Sequence, residues 1–284
     1  MVSNQKMKVV VIGATGLLGK ALLHQWTGDD IVGVGSRDLD IRDASAVQEF
    51  VQKSRPNWIV LAAAYTDVDG CETHADLAFS VNRDGAVNVA EAAKKAGARL
   101  IFLSSDYVFD GKKTSPYEIS DARNPQSVYG RSKAEAEVRL LEMLPEVCIA
   151  RTSWLFGVGG KCFPDTILKL AASRPALDVV NDQRGSPTFS VDLARTIIAL
   201  CRAGAHGIVH VTSSGDCSWF EFAREIVKQA GLAVEVKPVS SVQMARPAPR
   251  PPYSVLSATS LHRYGIEMPE WKDALRRYLK ERAS

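Results

Sequence analysis

Continuous apolar runs alternate with helical stretches along the first half of the chain, and this alternation constrains the fold most strongly. The runs are rich in β-branched residues, as in KVVVIG at Lys8–Gly13 and WIVLA at Trp58–Ala62. Strands that are apolar along their whole length are buried on both faces, which is typical of parallel sheets with helical crossovers. Right-handed crossovers then predict an α/β fold with a doubly wound parallel sheet.

The remaining predicted elements extend this pattern and then depart from it. Further strands are predicted at Ile31–Gly35, Leu100–Ser104 and Val147–Arg151, and helices at Leu17–Trp26, Ala44–Ser54, Ala75–Ala96 and Gln126–Leu144. After Arg151 we expect Leu177–Val180, a helix over Val191–Ala203 and Gly207–Thr212 to return to the main sheet. A smaller cap is predicted from Cys217–Ala230, Val234–Val239 and a helix near Glu270–Arg282, with the proline-rich Pro247–Pro252 as extended loop.

Composition excludes several classes of protein. The net charge is only +3, which argues against binding to nucleic acid polymers or anionic membranes. The five cysteines are scattered without a C-x-x-C pair, and the five histidines show no metal spacing, so we predict no metal site. The first residues carry no apolar run of the signal-peptide type. We therefore expect a cytoplasmic protein in a reducing compartment.

The segment GATGLLG predicts a phosphate-binding turn between the first strand and the first helix. Glycines at three positions allow a sharp turn, a close approach of the backbone to a pyrophosphate, and tight packing of the helix on the sheet. The helix N-terminus offers free N–H groups and a partial positive charge. The predicted dinucleotide-binding residues of this turn are Gly13, Thr15, Gly16, Leu17, Leu18 and Gly19.

The end of the second strand indicates which dinucleotide binds. NAD-binding proteins place an acidic residue there to hold the ribose 2′-hydroxyl. This chain has Ser36 and Arg37 instead, which favour the 2′-phosphate of NADP without excluding NAD. Asp40 is placed to accept from the adenine amino group, with Ile41 packed on the ring.

Together with the order of the predicted elements, these motifs predict two domains. A dinucleotide-binding Rossmann domain is predicted at residues 1–152 with 177–216, and a substrate-binding domain at residues 153–176 with 217–284.

Tyr129 and Lys133 form a Tyr-x-x-x-Lys pair on one face of a predicted helix. Reduction of a ketone requires a proton for the developing alkoxide, and a tyrosine can supply it if its pKa, ordinarily about 10, is lowered. A nearby ammonium would lower that pKa, so Lys133 is predicted to tune Tyr129 and to bind the nicotinamide ribose. The Ser105 hydroxyl, at the end of the preceding strand, is predicted to hydrogen-bond the same carbonyl oxygen.

With these motifs, the chain resembles the extended short-chain dehydrogenase/reductase superfamily and, within it, the dTDP-4-dehydrorhamnose reductase family. The resemblance spans nearly the whole length, through segments such as AAAYTDVDGCE, VNRDGAVNVA, LSSDYVFDG, YGRSK, RTSWLFG, DQRGSPT and CSWFEFA. Two departures are Ser105 where threonine is commoner, and Ile119 where the family has glutamate. The resemblance implies NADPH-dependent reduction of the 4-keto group of a nucleotide-linked deoxysugar.

The same resemblance implies roles for individual residues. Ser105, Tyr129 and Lys133 would form the catalytic trio, and the last two would also contact the cofactor. The nicotinamide side of the cofactor would be lined by Ala62, Ala63, Ala64 and Tyr65. The sugar would be contacted by Ser104, Ser105, Tyr107 and Trp154. Arg250, with Arg246 as the alternative, would help close the nucleotide-sugar pocket.

Other functions remain open at this point. A nucleotide-sugar dehydratase would need a second carboxylate after Asp106, where this chain has Tyr107. The regulatory subunit of methionine adenosyltransferase also resembles these reductases, so a non-catalytic NADP-binding partner protein is the alternative. Some relatives hold Mg²⁺ at a dimer contact, for which the sequence shows no carboxylate cluster. The chain is expected to be a monomer or a homodimer.

Overall fold

The computed structural model describes residues 6–283. Residues 1–5, on which part of the signal-peptide expectation rests, lie outside that range. The strands are β1 Lys8–Ile12, β2 Asp30–Val34, β3 Trp58–Leu61, β4 Arg99–Ser105, β5 Cys148–Thr152, β6 Leu155–Phe156, β7 Ala176–Val180, β8 Arg184–Gly185, β9 Thr188–Phe189, β10 Gly207–His210, β11 Cys217–Ser218 and β12 Glu235–Val239. The helices are α1 Leu17–Gln25, α2 Ala44–Ser54, α3 Val68–Thr73, α4 Ala75–Phe79, α5 Gly85–Ala96, α6 Val128–Met143, α7 Phe163–Ala171, α8 Ser190–Arg202, α9 Trp219–Gln229, α10 Ser241–Met244, α11 Thr259–His262 and α12 Trp271–Ala283.

The main sheet has six parallel strands in the order β10-β5-β4-β3-β1-β2. The chain runs from β1 to β2 on one side and continues with β3 on the other, so the switch point lies between β1 and β3. Ligands of doubly wound sheets bind at the carboxyl edge of this point. The doubly wound parallel sheet predicted from the sequence is confirmed.

Both faces of the sheet are covered, as the apolar strands require. One face packs on α1 and α8 through residues such as Leu22 and Leu193. The other packs on α2, α5 and α6, through residues such as Val47 and Val89. These two cores fix the carboxyl ends of the strands, from which the site is built.

A third apolar core lies in the smaller part of the chain, between α7, α9 and α12. β7 pairs in parallel with β12 in a separate two-stranded sheet, with Leu177 beside Val236. The prediction that Leu177–Val180 returns to the main sheet is therefore wrong, because its apolar side chains pack into this third core. The strand predicted at Gly207–Thr212 does join the main sheet, as β10. The two-domain division stays a prediction, with residues 177–180 moved to the smaller part.

The helix predicted over Ala75–Ala96 is interrupted by a wider, π-helical turn at Ser80–Asp84. In this turn Asn82 is buried, and its amide group binds both backbone groups of Tyr65, at 2.7 Å to the N–H and 3.0 Å to the carbonyl. The same amide donates to the Ser132 hydroxyl on α6 at 3.0 Å. Such turns within helices often mark functional sites. Here the turn fixes the loop that leaves β3.

Candidate active site

The glycine turn after β1 has the geometry that a phosphate-binding loop needs. Gly13 has φ +96°, and a Cβ there would lie 2.4 Å from the backbone nitrogen of Ala63. A Cβ on Gly19 would lie 2.2 Å from the Gly13 carbonyl oxygen, so this glycine packs the helix on the turn. Gly16 precedes α1, and no side chain caps the helix there. The first N–H groups of α1 are therefore available to an anion.

A cleft of about 360 Å³ opens at the switch point, above this turn. It is lined by nine of the residues predicted to bind the cofactor: Gly13, Thr15, Gly16, Ser36, Asp40, Ile41, Ala62, Ala63 and Ala64. Leu18 is buried in the core beneath, so only its backbone can face a ligand. The cleft and the open helix terminus fit a dinucleotide.

Arg42 is a charged residue of this cleft that sequence reasoning missed. The wall contains Arg42 and not Arg37, which is exposed. The Arg42 guanidinium donates to both carboxylate oxygens of Asp40, at 2.6 to 3.0 Å, and lowers the pKa of that carboxyl. Asp38 accepts from the Gly35 N–H at 2.9 Å. The Asp38 and Asp40 carboxylates after β2 thus both accept hydrogen bonds within the protein. The spacing Asp40-x-Arg42 was the feature of the sequence that could have indicated the pairing of Arg42 with Asp40.

The predicted catalytic residues converge at the carboxyl end of β4. Ser127 begins α6 by accepting from the Gly130 N–H at 3.1 Å, which places Tyr129 in the first turn of the helix and Lys133 one turn further on. The Tyr129 ring meets the edge of Tyr107 with centroids 5.6 Å apart. Ser105 is buried and donates to Asp106 at 2.9 Å. Burial raises the pKa of Asp106 to about 6.

The expectation that Lys133 lowers the pKa of Tyr129 is wrong for this structure. Burial raises the pKa of Tyr129 above its ordinary value, while a hydrogen bond with Ser105 acts in the opposite direction. Burial also lowers the pKa of Lys133 to about 7, opposed by the negative charge of Glu137. The reason is that both groups lie out of water, which disfavours phenolate and ammonium alike. A phenol that keeps its proton at neutral pH is still the form that a proton donor requires.

Ser104 does not join this group. Neighbouring side chains on a strand alternate in direction, and the Ser104 hydroxyl donates to the buried Glu137 carboxylate at 2.6 Å. This corrects the predicted contact between Ser104 and the sugar: its side chain supports the site from beneath.

Trp154 occupies an unusual position between the main sheet and the smaller part. It has φ +47° and stacks on Trp219, with ring centroids 3.5 Å apart. A Cβ on Gly185 would lie 2.6 Å from the Trp154 ring, so the glycine of DQRGSPT makes room for it. Sequence reasoning missed the roles of Trp219 and Gly185, which only the packing reveals.

A second cavity, of about 500 Å³, lies between α7, β7 and the segment 241–250. Its lining combines aromatic rings with cationic groups: Phe163, Trp219, Arg246 and Arg250. The Arg250 guanidinium donates to both oxygens of Asp69, at 3.0 and 2.9 Å, and the Ala248 N–H donates to the same carboxylate at 3.1 Å. Asp69, in the first turn of α3, therefore ties the proline-rich loop to that helix.

A parallel sheet with a glycine turn at its switch point, beside a Tyr–Lys pair on one helix, defines a short-chain dehydrogenase/reductase. The model of the RmlD substrate binding domain family matches residues 7–284. Spore coat polysaccharide biosynthesis protein SpsK from Bacillus subtilis is 40% identical over 279 residues, 98% of each chain. A dTDP-4-dehydrorhamnose reductase from Mycobacterium tuberculosis is 39% identical over 283 residues, 96% of this chain and 92% of the relative.

A solved structure shows the same similarity. The dTDP-4-dehydrorhamnose reductase from Bacillus anthracis, in complex with NADP, is 40% identical and superimposes with a TM-score of 0.95 over 98% of this chain and 100% of that one. The chain belongs to the RmlD family, the dTDP-4-dehydrorhamnose reductases of the extended short-chain dehydrogenase/reductase superfamily. The resemblance drawn from its motifs is confirmed.

Proposed function

We propose that this protein is an oxidoreductase that uses NADPH to reduce the 4-keto group of dTDP-4-dehydro-L-rhamnose, forming dTDP-L-rhamnose. The observation that carries the proposal is the hydrogen bond between Ser105 and Tyr129 at the end of β4. Relatives of 39 and 40% identity that span nearly the whole chain support it, as they are named for this reduction and one is bound to NADP.

The cofactor is assigned to the cleft at the switch point. NADPH, when bound there, supplies the hydride. The Gly13–Gly19 turn and the N-terminus of α1 hold its pyrophosphate, and Ala62–Ala64 line its nicotinamide side. Arg37 and Arg42 supply positive charge toward a 2′-phosphate. NADH is expected to serve less well, since Arg42 lies in the cleft wall and pairs with the Asp40 carboxylate there.

The protein's own part in the reaction is to orient the ketone and to deliver a proton. Ser105 turns its single hydroxyl proton from Asp106 to the carbonyl oxygen when the ketone binds. Tyr129 transfers its phenolic proton to that oxygen as the alcohol forms. The Lys133 ammonium binds the ribose and balances the negative charge left on the Tyr129 oxygen when its proton leaves. General acid catalysis of this kind contributes a factor of about 10² to 10⁴.

The nucleotide of the substrate is assigned to the second cavity. Phe163 and Trp219 offer aromatic faces for a base, and Arg246 and Arg250 offer guanidinium groups for a diphosphate. Trp154 stacks on Trp219 of this cavity and Tyr107 contacts Tyr129, so the sugar would be held along these rings. No helix within residues 6–283 is long and apolar enough to cross a membrane. A cytoplasmic location, suited to the five unpaired cysteines, is part of the proposal.

The test is a turnover screen in which the absorbance of NADPH is followed with 4-keto-6-deoxy sugars on different nucleotide carriers. Tyr129→Phe is expected to lower kcat at least about 10²-fold, because it removes the donated proton. NADPH affinity, measured by fluorescence titration, should change little. Tyr264→Phe, a phenol near His206 and away from the site, is the matched control. Normal turnover by Tyr129→Phe would refute the assignment.

The screen also addresses the alternative of a regulatory subunit. Absence of NADPH oxidation with every sugar, together with tight capture of methionine adenosyltransferase, would favour the binding role over the catalytic one. Sedimentation of the same sample distinguishes the monomer from the homodimer, which the sequence left open.

A further inference from the structure

A carboxylate lies buried directly beneath the proposed active site. Glu137 on α6 has 0% of its surface exposed. It accepts from the Arg151 guanidinium at 2.9 and 2.6 Å, and from Ser104 at 2.6 Å. Arg123, in the loop before α6, adds a contact of 3.2 Å from the edge of the fold. The proposed reaction uses none of these contacts directly.

Glu137 lies one helical turn after Lys133, so the two side chains share a face of α6. The Lys133 ammonium is also buried and lies 3.9 Å above the centre of the Phe102 ring. Burial lowers the pKa of Lys133, and the negative charge of Glu137 acts in the opposite direction. Without that carboxylate the balance would move further toward the neutral amine.

The other charges around this pair set the sign of its effect. Arg151 on β5 places one nitrogen 3.3 Å from the imidazole of His210 on β10. Burial, together with Arg151, lowers the pKa of His210 to about 3, so the ring is neutral and serves as an acceptor. Toward Tyr129 the nearby groups are Asp106 and Cys71. Five further charged residues lie along the outer side and the start of α6: Glu72, Arg83, Asp84, Glu135 and Arg139. Glu72 accepts from a backbone N–H of the helix, and the other four form ion pairs with one another.

We propose that Glu137 is a positioning residue for the reduction, which keeps the buried Lys133 in its ammonium form and, through Ser104, fixes the end of β4 that carries Ser105. Arg151, on β5, holds the Glu137 carboxylate in place. Because His210 is neutral, it does not compete with that carboxylate for the charge of the guanidinium. This inference rests on the proposed reductase function, because the charge of Lys133 matters to catalysis only when Tyr129 gives up its proton to a ketone.

The pH profile of kcat tests the proposal. The ammonium form of Lys133 is present below its pKa, and the pKa of Tyr129 lies higher, so loss of the Lys133 charge sets the alkaline limb. Glu137→Gln keeps the size and an acceptor but removes the charge. We expect the alkaline limb to move at least about 1 pH unit toward acid. Glu137→Asp, which keeps the charge, should restore it.

Arg123→Ala is the matched control, because it removes a partly exposed guanidinium from the same carboxylate. Loss of that positive charge favours the ammonium, so its limb should move toward alkali or stay. An unchanged limb in a folded Glu137→Gln protein would reduce Glu137 to a structural role and overturn the proposal. If Glu137→Gln does not fold, the other two variants still test the proposal. It would be overturned if the alkaline limbs of the pH profiles of Glu137→Asp and Arg123→Ala both moved toward acid.

A second measurement does not depend on turnover. The charge of Lys133 is followed by an NMR titration of its labelled Cε, assigned with Lys133→Met. A titration midpoint that moves to lower pH in Glu137→Gln supports the inference even where no sugar is reduced. Lack of turnover by the unaltered protein would refute the reductase function alone, and an unmoved midpoint would refute the role of Glu137 alone.

Discussion

Two arginine–carboxylate pairs flank the proposed site, with similar forked bonding and very different surroundings. Glu137–Arg151 lies under β4 with both side chains fully buried, whereas Asp69–Arg250 lies at the rim with 26% and 17% of its side chains exposed. Removing one partner of a buried pair leaves a charge out of water, but a rim pair is screened and can exchange partners. The comparison indicates that the floor of the site is rigid and that its rim can respond to a ligand.

The largest effect is expected from breaking the buried pair. Glu137→Ala should lower the free energy of unfolding by about 3–5 kcal/mol, because Arg151 is left buried without its carboxylate. Urea denaturation measures this loss. The double variant Glu137→Leu with Arg151→Met removes both charges and should regain most of the stability. If Glu137→Ala lowered the free energy of unfolding by less than about 1 kcal/mol, the buried pair would contribute no more to stability than an exposed pair does.

A smaller and different effect is expected at the rim. Asp69→Asn should raise KM for the nucleotide sugar about 10-fold, because a charge-assisted hydrogen bond is worth about 1.5–3 kcal/mol and Arg250 loses its orientation. Steady-state kinetics at saturating NADPH measures it. Asp67→Asn is the control, since that carboxylate accepts from the Gly70 N–H instead. Equal KM values for the two variants would contradict the orienting role of Asp69.

The rim pair also has a defined pH dependence. The hydrogen bond with Arg250 lowers the pKa of Asp69 to about 2, below its value of about 3.9 in an unfolded chain. A depressed pKa contributes stability that is complete above about pH 4 and is lost as the pH falls toward 2. The difference in Tm between the unaltered protein and Asp69→Asn should therefore be constant near neutrality and disappear in acid.

The smallest effect is expected from the most exposed of the three pairs compared, Asp40–Arg42, in the cofactor cleft. Arg42→Ala should weaken NADPH binding about 2- to 5-fold and leave NADH nearly unchanged, since it frees the Asp40 charge near a 2′-phosphate. Fluorescence titration with both cofactors measures this ratio. Arg37→Ala, tested alongside, shows which arginine carries the selectivity. Equal weakening of both cofactors by Arg42→Ala would exclude a 2′-phosphate effect.

Local patterns in the sequence were sufficient for much of the fold and for the outline of the site. Fully apolar strands can only be buried on both faces, so the doubly wound sheet followed directly from runs such as Lys8–Gly13. Gly19 also carries its reason locally, because a Cβ there would meet Gly13 and Ala14 of the same turn, whereas the space at Gly13 is closed by Ala63, just after β3. The spacing of Tyr129 and Lys133 places them on one face of any helix.

Contacts between distant segments could not be predicted in this way. β7 is predicted to join the main sheet from its apolar residues Leu177, Val179 and Val180, and only its packing against β12 assigns it elsewhere. The widened turn at Asn82 depends on Tyr65 and Ser132, which lie 17 and 50 residues away in the chain.

The sequence by itself determined the sheet, the turn after the first strand and the residues proposed to meet a ketone, because these depend on local period and on the size of single side chains. Only the tertiary structure decided the electrostatics. The pKa values of Tyr129 and Lys133 follow from how much water the surrounding elements exclude. Glu137, whose charge opposes the lowering of the Lys133 pKa, is itself held by a strand that the chain reaches later. Burial and long-range charge are properties of the assembled fold, so no motif reports them.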